Sequence, residues 1–160
     1  MYYPDLSPYE YMLRGKVDFE KPILNVGWLE KSHEFRKGSV PPEVVKSLRR
    51  LLRYQPAIAV QTRGLHLCDI CEGKSTQRVI SLPGDNSKFM YLGTAELWLP
   101  SEDGSTIYAA PTMIYHYIEA HDYLPPEDFI EAIHEFDFES EWNAKEIFEE
   151  LRRKLREANG

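Results

Sequence analysis

The sequence predicts an α+β fold in which a small antiparallel sheet is followed by C-terminal helices. Two observations lead to this class. The middle third of the chain holds β-rich segments bounded by turn residues, and the last third holds proline-bounded segments with helical spacing of apolar residues. Strands followed by helices are typical of α+β domains. A chain of 160 residues has the length of a single domain, spanning residues 1–160.

The first third is expected to contain an arm, a strand and a helix. Residues 1–15 are rich in tyrosine and proline and should pack on the body as an N-terminal arm, whereas the apolar residues 23–29 predict a short strand. A proline pair ending at Pro42 opens a helix that extends to about Tyr54, because proline suits the first helical turn. Pro56 then stops the helix.

The middle third predicts a sheet. The candidate strands are residues 57–62, 78–82 and 89–99. Residues 101–105 supply turn chemistry, so residues 95–99 and 106–109 should pair as a hairpin. Residues 82–86 carry turn residues in a row and predict a surface turn.

The last third predicts three helices. They cover about residues 111–120, 127–136 and 141–158, the last of these being the C-terminal helix within residues 141–160. Pro111 starts the first helix, and the pair Pro125-Pro126 separates it from the second. Gly160 is a suitable residue after the end of the last helix.

Composition limits the classes of function. The chain is 42% hydrophobic and 28% charged, as in ordinary soluble proteins. It contains neither an apolar run of the ~20 residues that a membrane span needs nor a secretory signal, so we expect a cytoplasmic protein. The net charge of −7 argues against nucleic acid as a partner. The one basic stretch, residues 46–53, has the leucine spacing of an amphipathic helix with one solvated face.

Two cysteines and two distant histidines form the pattern with the most chemical content. Cys68 and Cys71 are separated by two residues, so both sulfurs can face one point, and Gly73 lets the backbone turn its amide hydrogens toward them. His116 and His121 enclose four residues, within the range of structural zinc sites. Thiolate and imidazole ligands suit a tetrahedral zinc ion, which predicts a Zn²⁺ site made by these four side chains.

The identity of the fourth ligand is open at this stage. His116 and His121 stand five positions apart, about 140° round an ideal helix. They can share one ion only if His121 lies at the frayed end of the helix, and otherwise His66 is the alternative fourth ligand. In the competing interpretation, Cys68 and Cys71 are small buried hydrophobes and no metal binds.

The sequence comes close to three catalytic patterns but matches none of them. The metalloprotease helix needs histidines four apart, whereas His116 and His121 are five apart. The zinc deaminase pattern fails because His33 and Glu34 lack a spacer and Leu67 stands where proline is required. Dithiol oxidoreductases place their cysteine pair at a helix start, for which the following residues are unsuited. The sequence therefore assigns no catalytic residue and favours a protein without enzymatic activity.

Residues 24–29, 61–71 and 108–129 resemble a family of small uncharacterised bacterial proteins, a domain of unknown function. The shared patterns are GxHxCxxC and YAAPxxIYHYxxxHxYxPPxxF, and the resemblance covers roughly residues 5–135. It implies no activity. It implies that five side chains belong to one shared feature, namely His66, Cys68, Cys71, His116 and His121.

Three functions remain in view. The first is a zinc-stabilised binding or interaction protein with a structural metal and no chemistry of its own. The second is an immunity or antitoxin-type inhibitor that masks a basic protein partner, because residues 127–142 contain seven acidic residues and no Lys or Arg. Its aromatic residues could anchor a partner or could simply face the core; they are Phe129, Phe136, Phe138 and Trp142. The third is a metal-dependent hydrolase with an open zinc position. The sequence does not specify an oligomeric state.

Overall fold

The computed structural model describes residues 1–10, 13, 20–62, 67–71, 79–82 and 85–159. Within these residues the strands are β1 (Ile23–Asn25), β2 (Ile58–Gln61), β3 (Val79–Leu82), β4 (Asp85–Tyr91), β5 (Ala95–Pro100) and β6 (Ile107–Pro111). The helices are α1 (Pro42–Leu51), α2 (Ile114–His121), α3 (Glu127–Glu135) and α4 (Ala144–Asn159), and a 3-10 turn covers Gln55–Ala57. No helix in this part of the chain combines the length and apolar character that crossing a bilayer requires.

The strands form one four-stranded sheet, in the order β1-β6-β5-β2, and a separate two-stranded sheet of β3 and β4. The predicted α+β class and the β5–β6 hairpin are confirmed, with Trp98 opposite Ala109. The four-stranded sheet is mixed rather than wholly antiparallel, because β1 lies parallel to β6 and pairs Ile23 with Ile107. Parallel neighbours need a long connection, and most of the chain lies between these two strands.

Two predicted boundaries in the middle third are wrong. Residues 89–99 form the end of β4 and most of β5, which belong to different sheets. The break occurs at Gly93, whose φ of 93° leaves the strand region and whose amide donates to the Thr112 hydroxyl at 3.1 Å. The last two residues of the predicted turn 82–86 belong to β4, whereas residues 83 and 84 lie outside the described part.

Four further elements begin or end elsewhere than predicted. Helix α1 ends at Leu51 rather than near residue 54, and α4 begins at Ala144 rather than at residue 141. Strand β1 ends at Asn25, because Gly27 has a φ of 77° and turns the chain against α2. A Cβ on Gly27 would lie 2.7 Å from Cδ1 of Ile114. Helix α2 begins at Ile114 instead of residue 111, because Pro111 still pairs with Glu96 in the sheet.

Residues 1–10 of the N-terminal arm pack on the body. Its residues follow the outer edge of β1, where the Tyr9 amide donates to the Ile23 carbonyl at 2.9 Å and the Asn25 amide donates to the Ser7 carbonyl at 2.8 Å. Asp5 accepts one hydrogen bond from the Gly27 amide at 3.0 Å and another from the Tyr123 hydroxyl at 2.8 Å. The arm therefore covers the hydrogen-bonding edge that β1 would otherwise expose.

The two faces of the four-stranded sheet carry separate apolar clusters. Because side chains alternate along a strand, Leu97 and Leu99 face α1, α2 and α3, whereas Trp98 and Ala109 face α4. We call these the three-helix face and the α4 face. Phe148 of α4 is 1% exposed and meets the Trp98 ring edge-on at 5.7 Å.

Candidate metal centre

Helix α2 carries both downstream histidines. It is fixed to the three-helix face by Ile114, Tyr117 and Ile118, which are buried. His121 is its last residue, because Asp122 turns into the left-handed region with a φ of 54°. The sequence required His121 to lie at the helix end if it was to share an ion with His116, and it does.

The cysteines lie on a short irregular segment, residues 67–71, which packs on the three-helix face of the sheet. Cys68 is 1% exposed and belongs to the apolar cluster of that face, and Ile70 packs against it. Asp69 ties the segment to the body, since its Oδ1 accepts a hydrogen bond from the Lys31 amide at 3.1 Å. His66 and Gly73 lie outside the described residues.

The two segments bring four donor atoms together. Cys68 Sγ lies 3.4 Å from His121 Nε2. Cys71 Sγ lies 3.3 Å from His116 Nε2 and 3.4 Å from His121 Nε2. All four donor atoms lie within 4.8 Å of one another. In the described part of the chain, this is the group of Cys, His and acidic side chains with the convergence needed to hold a metal ion.

These distances match a tetrahedral site. Zinc–sulfur bonds of about 2.3 Å and zinc–nitrogen bonds of about 2.05 Å, at tetrahedral angles, put a sulfur and a nitrogen about 3.5 Å apart. The three sulfur–nitrogen distances of 3.3–3.4 Å lie close to this value. Hydrogen bonding alone explains the arrangement less well, because Nε2 of His121 contacts two sulfurs and has one lone pair or one hydrogen to offer.

The protein environment also bears on the charge of the thiols. Burial raises the pKa of the Cys68 thiol, and the neighbouring Cys71 raises it further, while backbone hydrogen bonds from Cys71 and Ile70 lower it. Amide hydrogens of Ile70 and Cys71 thus face the Cys68 sulfur, while the predicted contribution of Gly73 lies outside the described residues. A bound cation would supply the charge that keeps such a thiol ionised, and metal binding would release its proton.

Residues that neighbour the donors along the chain line a cavity of about 90 Å³. They include Leu67, Asp69 and Tyr117, whereas none of the four donor residues lines it.

The basic stretch of residues 46–53 uses its arginines within the protein. Arg49 donates to the Tyr115 hydroxyl at 3.3 Å, and the Arg50 guanidinium stacks 3.6 Å from the centre of the Phe138 ring. Arg53 donates to the backbone carbonyl of Arg49 at 3.3 Å. These contacts give the arginines a structural role in packing α1 against its neighbours.

The aromatic residues of segment 127–142 also contact the body. Phe129 is fully buried, and the Trp142 indole donates to the Trp98 carbonyl at 3.0 Å. Phe136 and Phe138 pack around the Tyr54 ring at 5.9 and 5.1 Å. The acidic residues of the segment are exposed instead. The structure thus agrees with the interpretation in which the aromatics face the core.

Sequence reasoning missed one buried carboxyl group. Glu96 is 2% exposed and accepts hydrogen bonds from the Tyr9 hydroxyl at 3.1 Å and the Trp98 indole at 3.2 Å. Burial raises the pKa of its carboxyl to about 7. The one available signal was a single acidic residue inside an otherwise apolar strand.

The family described as a domain of unknown function (DUF7919) matches residues 1–134. The chain belongs to this family. The match supports the resemblance seen in the sequence at the level of a domain of unknown function, while the individual motifs stay predictions. The DUF7919 region contains all four donor residues of the centre and ends before α4. No curated protein and no solved structure matches the chain.

Proposed function

We propose that this DUF7919 protein is a zinc-stabilised binding protein without catalytic activity. In this proposal one zinc ion, held by Cys68, Cys71, His116 and His121, ties residues 67–71 to helix α2. The observation that carries it is the convergence of four protein donor atoms at tetrahedral spacing.

The donor set favours zinc over other metals. Two thiolates and two imidazoles are a common structural zinc set, while calcium and magnesium prefer oxygen donors. In the cytoplasmic location that we expect, thiols stay reduced and available to a metal. The ion would replace the protons of both cysteines and contribute on the order of 10–16 kcal/mol of apparent binding free energy.

The number of donors favours a structural role over a catalytic one. Catalytic zinc keeps one coordination position open for water, whereas four protein donors would fill all four positions here. A metal-dependent hydrolase, the alternative, would need one of the four donors to stay away from the ion.

Metal analysis of the purified chain tests the proposal. We expect one zinc per chain, loss of that zinc in His116→Ala, and its retention in the matched control His134→Ala, whose histidine is exposed and paired with Glu135. Chelation should lower the melting temperature of the wild-type chain by more than about 10 °C, given the binding energy involved.

Two outcomes would contradict it. A wild-type chain that contains no metal and melts at the same temperature with and without chelator would rule out the zinc role. A water bound to the metal would favour the hydrolase instead. After cobalt substitution it would be detected as a five-coordinate or pH-dependent absorption spectrum.

An immunity-type inhibitor remains the second candidate, and the exposed acids of residues 127–141 favour it. In the described part of the chain their one ion pair is between Glu135 and His134. A basic partner could therefore be recognised by charge, but without the aromatic anchors that the sequence suggested. Such an inhibitor would be encoded beside a toxin gene, and the purified chain should block the activity of that toxin. A neighbouring toxin that the chain leaves fully active would argue against this role.

A further inference from the structure

A second pocket lies away from the metal centre, between the β5–β6 turn and the start of α3. Its volume is about 450 Å³. Four acidic side chains line it, with Ser105 at the turn and Tyr108 of β6. The acidic residues are Glu102, Asp103, Asp128 and Glu131. We call it the acidic pocket.

The carboxyl groups of the acidic pocket are held close together without a balancing cation. The hydrogen bond and charge of Glu131 raise the pKa of the Glu102 carboxyl. Asp103 stays ionised, because hydrogen bonds from Ser105 and Ser101 lower its pKa to about 2. No Lys or Arg lines the pocket, and none of the four acids forms an ion pair in the part of the chain that the structure describes.

Tyr108 gives the pocket a feature that clustered acids alone would not. Its side chain is 4% exposed, and its ring packs edge-on against Phe129 at 5.9 Å. Within the described residues its hydroxyl has no hydrogen-bond partner, although the residue lines the pocket. Burial and the charges of Asp128 and Asp103 raise its pKa, so the group is a neutral phenol that faces carboxylates. The ring is buried, while the hydroxyl is reached from the pocket and has no protein partner among the described residues, so it is open to a hydrogen bond with a ligand.

The spacing of the groups distinguishes an organic cation from a metal ion. A metal ion needs its donor atoms gathered around one point, and in the described chain the Cys and His side chains, not these carboxylates, have that convergence. A guanidinium has five N–H donors spread over a planar fork. It can bind carboxylates at the rim and still donate to a phenol oxygen below them.

We propose that the acidic pocket binds the guanidinium group of an arginine side chain from a protein partner. A protein is favoured over a free small molecule, because Asp128 and Glu131 belong to α3 and the exposed acids continue along the chain to residue 141. That surface would complement a basic face around the inserted arginine. The proposal rests on the binding role proposed above, but not on the metal.

Calorimetry with short peptides tests this directly. The probes are acetylated, amidated tripeptides of arginine, of citrulline, which is its uncharged isostere, and of lysine, together with free arginine amide. The arginine peptide should bind the wild-type chain at least tenfold more tightly than each of the other three, and it should bind more weakly at high salt.

Variants locate the binding. Tyr108→Phe keeps the ring and removes the hydroxyl, and it should weaken arginine-peptide binding about tenfold. The double variant Asp128→Asn/Glu131→Gln should abolish most of the remaining affinity. Glu157→Gln is the control, because it removes a negative charge from the exposed side of α4, away from the pocket. It should change the affinity for the arginine peptide less than twofold.

The outcomes separate this inference from the zinc proposal. Equal binding of the arginine and citrulline peptides would overturn it, as would equal binding of the lysine peptide or of free arginine amide. Equal weakening by Glu157→Gln and by the pocket variants would also overturn it, because the attraction would then be a general charge effect. Zinc content and melting temperature are measured for every variant, so a chain that binds the peptide but holds no zinc would refute the metal proposal alone.

Discussion

The two faces of the four-stranded sheet are closed by different means. On the three-helix face, residues 67–71 bring Cys68 and Cys71 against the histidines of α2. On the α4 face, one helix covers the sheet with Phe148 and other apolar residues, and the Trp142 indole donates to the Trp98 carbonyl. Both faces bury apolar side chains, and the three-helix face adds a group of donor atoms that suit a cation.

If zinc binds as proposed, this difference separates metal-dependent from metal-independent stability within one chain. Helix α4 lies outside the DUF7919 match, yet it buries the ring of Trp98 completely. All three tryptophans belong to the α4 face, so their fluorescence reports on that face, whereas metal content reports on the other. The following predictions use these two readouts, from the largest expected effect to the smallest.

Loss of a metal ligand should have the largest effect. If zinc binds as proposed, Cys71→Ser should lower the free energy of unfolding by more than about 4 kcal/mol, because it removes a donor from a site whose ion would contribute on the order of 10 kcal/mol. The measurement is denaturant unfolding followed by tryptophan fluorescence. Added zinc should stabilise the wild-type chain and not the variant. Equal zinc response in both chains would mean that Cys71 is not a ligand.

Truncation on the α4 face should cost somewhat less and leave the metal in place. Phe148→Ala removes a ring that is 1% exposed, which typically costs about 3–5 kcal/mol. Tryptophan emission should shift to the red as water reaches Trp98, while the folded fraction still holds one zinc per chain. The exposed Lys145→Ala is the control. Loss of zinc from folded Phe148→Ala protein would show that the two faces are coupled.

A change in the residue that packs against the start of α2 should affect both the stability of the chain and its binding of metal. Gly27→Ala places a Cβ 2.7 Å from Ile114, two residues before His116, at a φ of 77°. We expect a loss of about 2–4 kcal/mol and weaker zinc binding. Gly104→Ala is a matched control, because Gly104 has a φ of 75° and nothing within 4 Å of the added Cβ. Equal losses in both variants would show that contact with Ile114 is unimportant.

The smallest effect concerns pH and the α4 face. The carboxyl of Glu96 has a pKa of about 7 when folded against an ordinary value of 4.5, so the folded state holds the proton longer. The contribution of the Glu96 carboxyl to the free energy of unfolding is therefore greatest below pH 4.5 and is lost as the pH rises toward 7. Glu96→Gln should be more stable than the wild type by about 1–3 kcal/mol at pH 8, with no difference near pH 4.

The quantity to measure is the difference in free energy of unfolding between the wild type and Glu96→Gln at each pH. The cysteines and histidines titrate in both chains, so their effect cancels in this difference. Glu139→Gln, at an exposed position, is the control and should give a flat difference. A flat difference for Glu96→Gln as well would mean that folding leaves the pKa of the Glu96 carboxyl unshifted.

Local patterns in the sequence predicted much of this fold. Helix α1 follows from a proline pair and apolar spacing, and the β5–β6 hairpin follows from the turn residues between its strands. The long strand over residues 89–99 was wrong, because Gly93 can leave the strand region and only the pairing partners of β4 and β5 decide that it does. The parallel alignment of β1 and β6 is likewise a property of the whole chain path, which no local pattern records.

The candidate centre was predictable to a similar extent. The residue types and their spacing singled out Cys68, Cys71 and His116, with His121 or His66 as the fourth donor, because thiolates and imidazoles at this spacing suit zinc. The fourth donor needed the helix end at His121, which no local pattern fixed. The acidic pocket was not predictable, since its acids come from a turn and a helix that meet only in the folded chain. Tyr108 was likewise seen in the sequence only as part of a motif, because burial without a partner is a three-dimensional property.

The bridge from Asp5 to the Tyr123 hydroxyl spans 118 positions of the chain. At the usual speed of translation, ~5–20 residues per second, Tyr123 is synthesised about 6 to 24 seconds after Asp5. Throughout that delay the aspartate lacks its contact with Tyr123, even when the Gly27 amide is already in position. Asp5 therefore reaches its full set of native contacts only after most of the sheet has been synthesised.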